Sequence, residues 1–179
     1  MQNLRSFVRK QSFAVSIGLT DGILTALTLA AAHLYYGERP SPGFSFRVAL
    51  GSAICGIFVF YTAEYARLRR RLVYSERQLN IMKRGVFATT ELGKQVRAEA
   101  IVAAALSSCA NFLGAFFPLL TASFLHGSLL LAFSPALIAL ALLGAALARA
   151  VHGNYVIWIV SLVLGGVVLS FFGVWLHIA

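Results

Sequence analysis

The chain has 179 residues, of which 59% are hydrophobic and 12% are charged, and its mean hydropathy is +0.81. A soluble domain carries about twice that charged fraction, and one of this length could not bury so much apolar surface. The composition therefore excludes a soluble globular protein and indicates a membrane protein. The formal net charge of +9 is compatible with nucleic acid or an anionic membrane surface. Because most charges sit beside the apolar runs, we expect a membrane surface and no nucleic acid.

Five apolar segments are long enough to cross a bilayer, at about 20 residues each. A cleaved signal peptide is less favoured for the first, because its apolar run exceeds the usual length and contains Asp21. We therefore predict an all-α integral membrane protein with five transmembrane helices and a single membrane domain over residues 1–179. The predicted spans are residues 13–36, 48–65, 100–125, 128–148 and 155–178.

The basic residues predict the orientation of these spans. Thirteen of the 15 Lys and Arg residues precede the first span, lie between spans two and three, or follow span four, and five spans place all these regions on one side. Only Arg39 and Arg47 fall on the other side. We expect a multi-pass protein of a plasma, inner or vacuole-like membrane, with a cytoplasmic N-terminus and an outer C-terminus.

Residues 66–98 form the one polar region, predicted to be a basic amphipathic helical segment on the cytoplasmic side. It continues span two, and apolar side chains recur at helical spacing within it. The arginines fall mostly on other faces, so the segment is expected to lie near anionic lipid headgroups. The apolar stripe consists of Leu72, Leu79, Met82 and Val86.

Asp21 is the most informative residue, because a carboxylate inside a membrane span is costly unless it is used or neutralised. Gly18, Asp21, Thr25 and Thr28 share one helical face. This small and polar stripe is expected to face another helix or a water-filled path, and Gly22 allows a neighbouring backbone close to the carboxylate. The alternative is a structural hydrogen-bond hub between helices.

Span three carries a second polar stripe, in which Ser107 and Asn111 precede Gly114 and Pro118. Pro118 removes a backbone donor and frees the carbonyl of Gly114. Together with Glu64 at the end of span two, these oxygen ligands suit a divalent cation or a proton relay. For Ser107 and Asn111, hydrogen bonding between helices is the alternative; for Glu64, it is a salt bridge to Arg67 or Arg71.

Several stretches, in this order, resemble the vacuolar iron transporter family, which includes the yeast Ca²⁺-sensitive cross-complementer and nodulin-like transporters. They are "GLTDGILTALTLA" in span one, "GSAICGIFVFYTAEY" in span two, "SSCANFLGAFFPLLTASFL" in span three, and "LLGAALARAVHGN" and "LVLGGVV" in the last two. The likeness covers nearly the whole chain. It implies a homodimer that exports Fe²⁺ or Mn²⁺ from the cytoplasm, with H⁺ as counter-ion and no resident cofactor.

By this resemblance the ion path runs between spans one and two at the dimer interface. The family's membrane aspartate corresponds to Asp21, and its cytoplasm-proximal glutamate to Glu64. The sequence departs from the family at Thr20, where the family has Asn, and at Phe60, where it has Met. The cytoplasmic segment is rich in arginine, and its candidate metal ligands are Glu76, Glu91 and Met82.

Two classes of function follow from these residues. The first is a proton-coupled exporter of divalent metal, with an ion pathway of Asp21, Thr25, Thr28, Glu64, Ser107 and Asn111. The second is a non-transporting membrane scaffold or regulator, whose basic helix binds lipid or a partner. The sequence has none of the short motifs of membrane enzymes, so we expect no enzymatic activity.

Overall fold

The computed structural model describes residues 2–36, 40–78, 90–124 and 129–176, and the side chains of all of these except 2–10 and 129–132. The described chain is all-α and contains five helices long and apolar enough to cross a membrane, which confirms the predicted fold class. The helices are α1 Gln2–Tyr35, α2 Pro42–Gln78, α3 Glu91–Phe124, α4 Leu129–Val151 and α5 Tyr155–Trp175.

The first three helices are longer than a bilayer requires. The hydrocarbon core is about 30 Å thick, whereas the 37 residues of α2 extend over about 55 Å. The polar region therefore begins as an uninterrupted continuation of α2 as far as Gln78. Most of the predicted apolar stripe lies outside the described residues, namely Leu79, Met82 and Val86.

Helix α3 is the centre of the packing. It lies along α1 and along α2, while α1 and α2 touch each other very little. Helices α4 and α5 pack together and against α1, and neither contacts α2 in the described part of the chain. As a result, a groove opens between α1 and α2, and α3 forms its floor.

Glycine allows the close approach of α1 to α3. A Cβ atom built on Gly18 would lie 2.0 Å from the carbonyl oxygen of Ser107, and one on Gly22 would lie 2.2 Å from that of Asn111. The approach is mutual, because a Cβ on Gly114 would lie 2.7 Å from the carbonyl oxygen of Leu19. Small residues permit this backbone contact, which is the main source of helix association in lipid.

Polar and apolar contacts divide between the two halves of the fold. On α3, Ser107 Oγ donates to the carbonyl of Ala14 at 2.8 Å, and Ser108 Oγ donates to that of Ala53 at 2.5 Å. Between α1 and α4, by contrast, the contact is an apolar cluster that includes Leu27 and Leu140. Exposed apolar side chains along α5 then form a surface suited to lipid.

We expect Gly22→Ala to destabilise the protein by about 1–3 kcal/mol, because the added methyl group forces the α1 and α3 backbones apart. Gly51→Ala is the matched control, since nothing lies within 4 Å of a Cβ at that helical position. Thermal unfolding in mild detergent measures both. Equal melting temperatures for the two variants would contradict the close packing of α1 on α3.

Candidate ion pathway

Asp21 lies near the middle of the apolar part of α1, Gln11–Tyr35. In the protomer it is an exposed residue, and it is bonded on one side by α3, where Asn111 Nδ2 donates to Asp21 Oδ2 at 3.0 Å. Gly22 follows immediately and brings the α3 backbone close, as its position beside the carboxylate predicts. The structure thus brings together Asp21 and Asn111, two of the predicted pathway residues.

Asn111 is fully buried and connects three helices. Besides its bond to Asp21 on α1, its Nδ2 lies 3.3 Å from the carbonyl oxygen of Ser52 on α2. The Ser52 hydroxyl donates to Asn111 Oδ1 at 3.1 Å. A Cβ on Gly56 would lie 3.0 Å from Asn111 Nδ2, so this glycine gives the amide its space. The sequence analysis missed Ser52, although a polar residue in the small-residue run "GSAICG" is a signal for an interhelical contact.

The two threonines of the predicted stripe occupy different surroundings. Thr25 Oγ1 donates to the carbonyl of Asp21 at 2.9 Å and stays beside the carboxylate. Thr28 Oγ1 donates to the carbonyl of Leu24 at 2.8 Å. The backbone of Thr28 lies against α5, where a Cβ on Gly173 would come within 2.4 Å of its oxygen. Thr28 therefore takes part in helix packing, and Thr25 is the threonine next to Asp21.

The groove between α1 and α2 continues from Ser107 toward Glu64 as a cavity of about 210 Å³. Gln11 lines it and is only 7% exposed, and its Oε1 has no hydrogen-bond partner among the described residues. Glu99 of α3 also lines this cavity. Sequence reasoning missed Glu99, although Glu99, Ala103 and Ser107 recur at helical spacing along one face of α3.

Glu64 lies at this end of the groove and is paired with Arg67. Arg67 Nε donates to Glu64 Oε2 at 2.7 Å, and Arg67 Nη2 contacts Glu64 Oε1 as well. The hydrogen bond to Glu64 raises the pKa of Arg67 above its ordinary value, so the guanidinium stays charged. The salt bridge that the sequence offered as the alternative for Glu64 is thus present.

The two predicted metal ligands of the polar region that the structure describes, Glu76 and Glu91, differ in exposure. Glu76 is buried, whereas Glu91 is exposed and accepts a hydrogen bond from Lys94 Nζ at 2.7 Å. Met82 lies outside the described residues. Across the described part of the chain, no three His, Cys, Asp or Glu side chains are grouped so that they could hold a metal ion.

A basic face follows the extension of α2 beyond the apolar segment. Tyr74 lies among its arginines. A surface of this kind attracts phosphate groups and anionic lipids. The arginines of this face are Arg67, Arg70, Arg71 and Arg77.

Comparison of the chain with models of protein families, with curated proteins and with solved structures finds no match. The resemblance to vacuolar iron transporters stays a prediction, so function has to be argued from the geometry of the groove.

We expect Glu91→Gln to leave Mn²⁺ binding by the full-length protein unchanged, because this exposed carboxylate is already paired with Lys94. Isothermal titration calorimetry in detergent measures the binding. Lys94→Gln is a matched control that breaks the same pair and keeps the carboxylate. A submicromolar Mn²⁺ site that is present in the wild type and in Lys94→Gln but absent in Glu91→Gln would contradict this expectation. It would indicate that the polar region binds metal through Glu91.

Proposed function

We propose that the protein is a membrane transporter that exports divalent metal cations, Fe²⁺ or Mn²⁺, from the cytoplasm in exchange for protons. The observation that carries the proposal is Asp21, an exposed carboxylate in the middle of an apolar helix, bonded on one side by a buried amide. A charged group at this depth costs about 3 kcal/mol on insertion scales, so it marks a functional position.

Exchange requires one group that holds a proton and a cation in turn. Removal from water favours the neutral form of a carboxylate, whereas a nearby cation favours its charged form. Asp21 therefore suits exchange without a second titrating group. The groove floored by Ser107 supplies an approach from the Glu64 end, which the distribution of basic residues assigns to the cytoplasm.

A homodimer supports this function, because the open side of Asp21 would otherwise face lipid. Ile17 and Phe13, which lie on the same side of α1, are 38% and 55% exposed. A second copy that covers this face removes both the carboxylate and the apolar side chains from the lipid. The ion path is then enclosed between α1 and α2 of the two protomers.

We expect cysteine crosslinking to detect this interface. In a background with Cys55 and Cys109 replaced by serine, Ile17→Cys should form a disulfide-linked dimer under mild oxidation in lipid. Ile138→Cys on α4 is the matched control, because Ile138 is 59% exposed but lies away from the α1 face. Crosslinking from Ile138 and not from Ile17 would contradict the proposed dimer.

We expect Asp21→Asn to abolish Mn²⁺-driven proton flux in proteoliposomes, because the amide keeps the shape of the side chain but cannot carry the charge. Asp21→Glu should retain part of the flux, since the charge is kept and its reach changes. Ser170→Ala is the matched control and should leave the flux unchanged, because the Ser170 hydroxyl donates to the carbonyl of Gly166 within α5, away from the proposed pathway. If Asp21 were only a hydrogen-bond hub, Asp21→Asn would transport like the wild type at equal protein incorporation.

The extension of α2 favours a second function, that of a membrane scaffold or regulator which binds anionic lipid or a partner. The observation behind it is the basic face of α2 beyond the apolar segment, together with the pairing of Glu64 with Arg67. An arginine-lined surface repels the cations that an exporter must collect. Under this alternative, removal of the arginines changes lipid binding, and Asp21→Asn has no effect on ion flux.

A further inference from the structure

Arg67 belongs to two surfaces of the molecule at once. It lines the cavity of about 210 Å³ at the Glu64 end of the groove, and it is also part of the basic face of α2. The Arg67 side chain is 46% exposed, whereas that of its partner Glu64 is 22% exposed. The guanidinium group therefore connects the entrance of the proposed ion path to a charged surface outside it.

The basic face results from the spacing of its arginines. Arg70 and Arg71 follow Arg67 by three and four residues, so the three side chains lie on one side of α2. Arg69 is exposed as well, but it lies roughly 160° away from Arg67 around the helix axis. The three neighbouring positive charges repel one another, and an anion that binds between them relieves this repulsion.

The position of these arginines along α2 indicates which anion they meet. Tyr61 and Tyr65 stack with their ring centroids 5.8 Å apart, and tyrosines concentrate at the boundary between hydrocarbon and headgroups. Arg67 lies about 3 Å and Arg71 about 9 Å beyond Tyr65 along the helix axis. Because the headgroup layer is about 5–8 Å deep, long arginine side chains reach it from these positions. The phosphates of anionic lipids lie at this level.

We propose that the phosphate of an anionic lipid headgroup binds to Arg67, Arg70 and Arg71 and competes with Glu64 for Arg67. Glu64 occupies Nε and Nη2 of Arg67, which form one edge of the guanidinium group. A phosphate beside this pair repels the Glu64 carboxylate and offers Arg67 an anion that two further arginines share. Glu64 is then available to a cation at the entrance of the cavity. The inference rests on the proposed function, and it makes anionic lipid a positive regulator of transport.

Lipid binding tests the competition without any transport. Phosphatidylglycerol is added to the full-length protein in detergent, and native mass spectrometry measures its affinity. Arg70→Gln should weaken the binding about fivefold, because one basic contact is lost. Glu64→Gln should strengthen it about two- to fivefold, because coupling is reciprocal: if the lipid releases Glu64, then Glu64 opposes the lipid.

Two control variants match these changes of charge. Arg69→Gln removes an arginine on the other side of α2, and Glu91→Gln removes an exposed carboxylate that is paired with Lys94. Both should bind the lipid like the wild type. Equal affinities for Glu64→Gln and Glu91→Gln overturn the competition for Arg67. Displacement of the lipid by inorganic phosphate overturns its assignment as the ligand, since a soluble anion would then suffice.

Mn²⁺-driven proton flux tests the regulation, in vesicles of phosphatidylcholine with or without phosphatidylglycerol. The anionic lipid should raise the wild-type flux about two- to fivefold, the worth of the salt bridge that it opens. Arg67→Gln should lose this increase, because Glu64 is unpaired in either lipid. Arg69→Gln should keep it, and this control includes the accumulation of Mn²⁺ at an anionic surface.

An equal increase in Arg67→Gln and Arg69→Gln overturns the regulation while the proposed function stands. Absence of Mn²⁺-driven flux from the wild type in both kinds of vesicle overturns the proposed function, and the regulation of transport with it. The competition between lipid and Glu64 for Arg67 is decided in that case by the binding affinities alone.

Discussion

The buried amide of Asn111 is the contact on which the polar half of the molecule depends. It is the one side chain described that bonds to α1 through Asp21 and to α2 through Ser52 while belonging to α3. In lipid the apolar effect does not hold helices together, so such contacts and close backbone packing take its place. Asn111 combines the two, because Gly22 and Gly56 provide the space on either side of it.

The groove follows from the way the first three helices pack. Since α1 and α2 both pack on α3 and barely meet each other, the space between them becomes a groove. Asp21 then lies at the groove with one side bonded and the other open. The Asn111 amide therefore both stabilises the helix packing and sets the environment of the Asp21 carboxylate. A change of this amide would affect the packing and the proposed chemistry together.

Much of this fold could be predicted from the sequence, because the bilayer restricts a spanning chain to apolar helices of known length. The charge of Asp21 marked it in one helix, and helical periodicity grouped Ser107 and Asn111 on one face of another. It could not say which helix each face meets. Thr28 shares the predicted face of Asp21 and yet packs on α5, because the neighbour changes along a helix while the periodicity does not. Glu99 and Ser52 were missed for the same reason: their importance depends on the neighbouring helix.

The carboxylates at the two ends of the groove have different partners, and the difference bears on function. At Asp21 the carboxylate is bonded by a neutral amide and is not paired with a basic side chain among the described residues. At Glu64 the carboxylate is neutralised by Arg67, and the extension of α2 adds further arginines beyond it. A cation that enters from this end meets a positive surface before it meets an available carboxylate. If the protein exports cations, Glu64 has to release Arg67 before it can bind the cation. If the protein is a scaffold, the salt bridge between Glu64 and Arg67 stays intact. The behaviour of the Glu64–Arg67 pair when Mn²⁺ is present therefore separates the two functions at the level of a single contact.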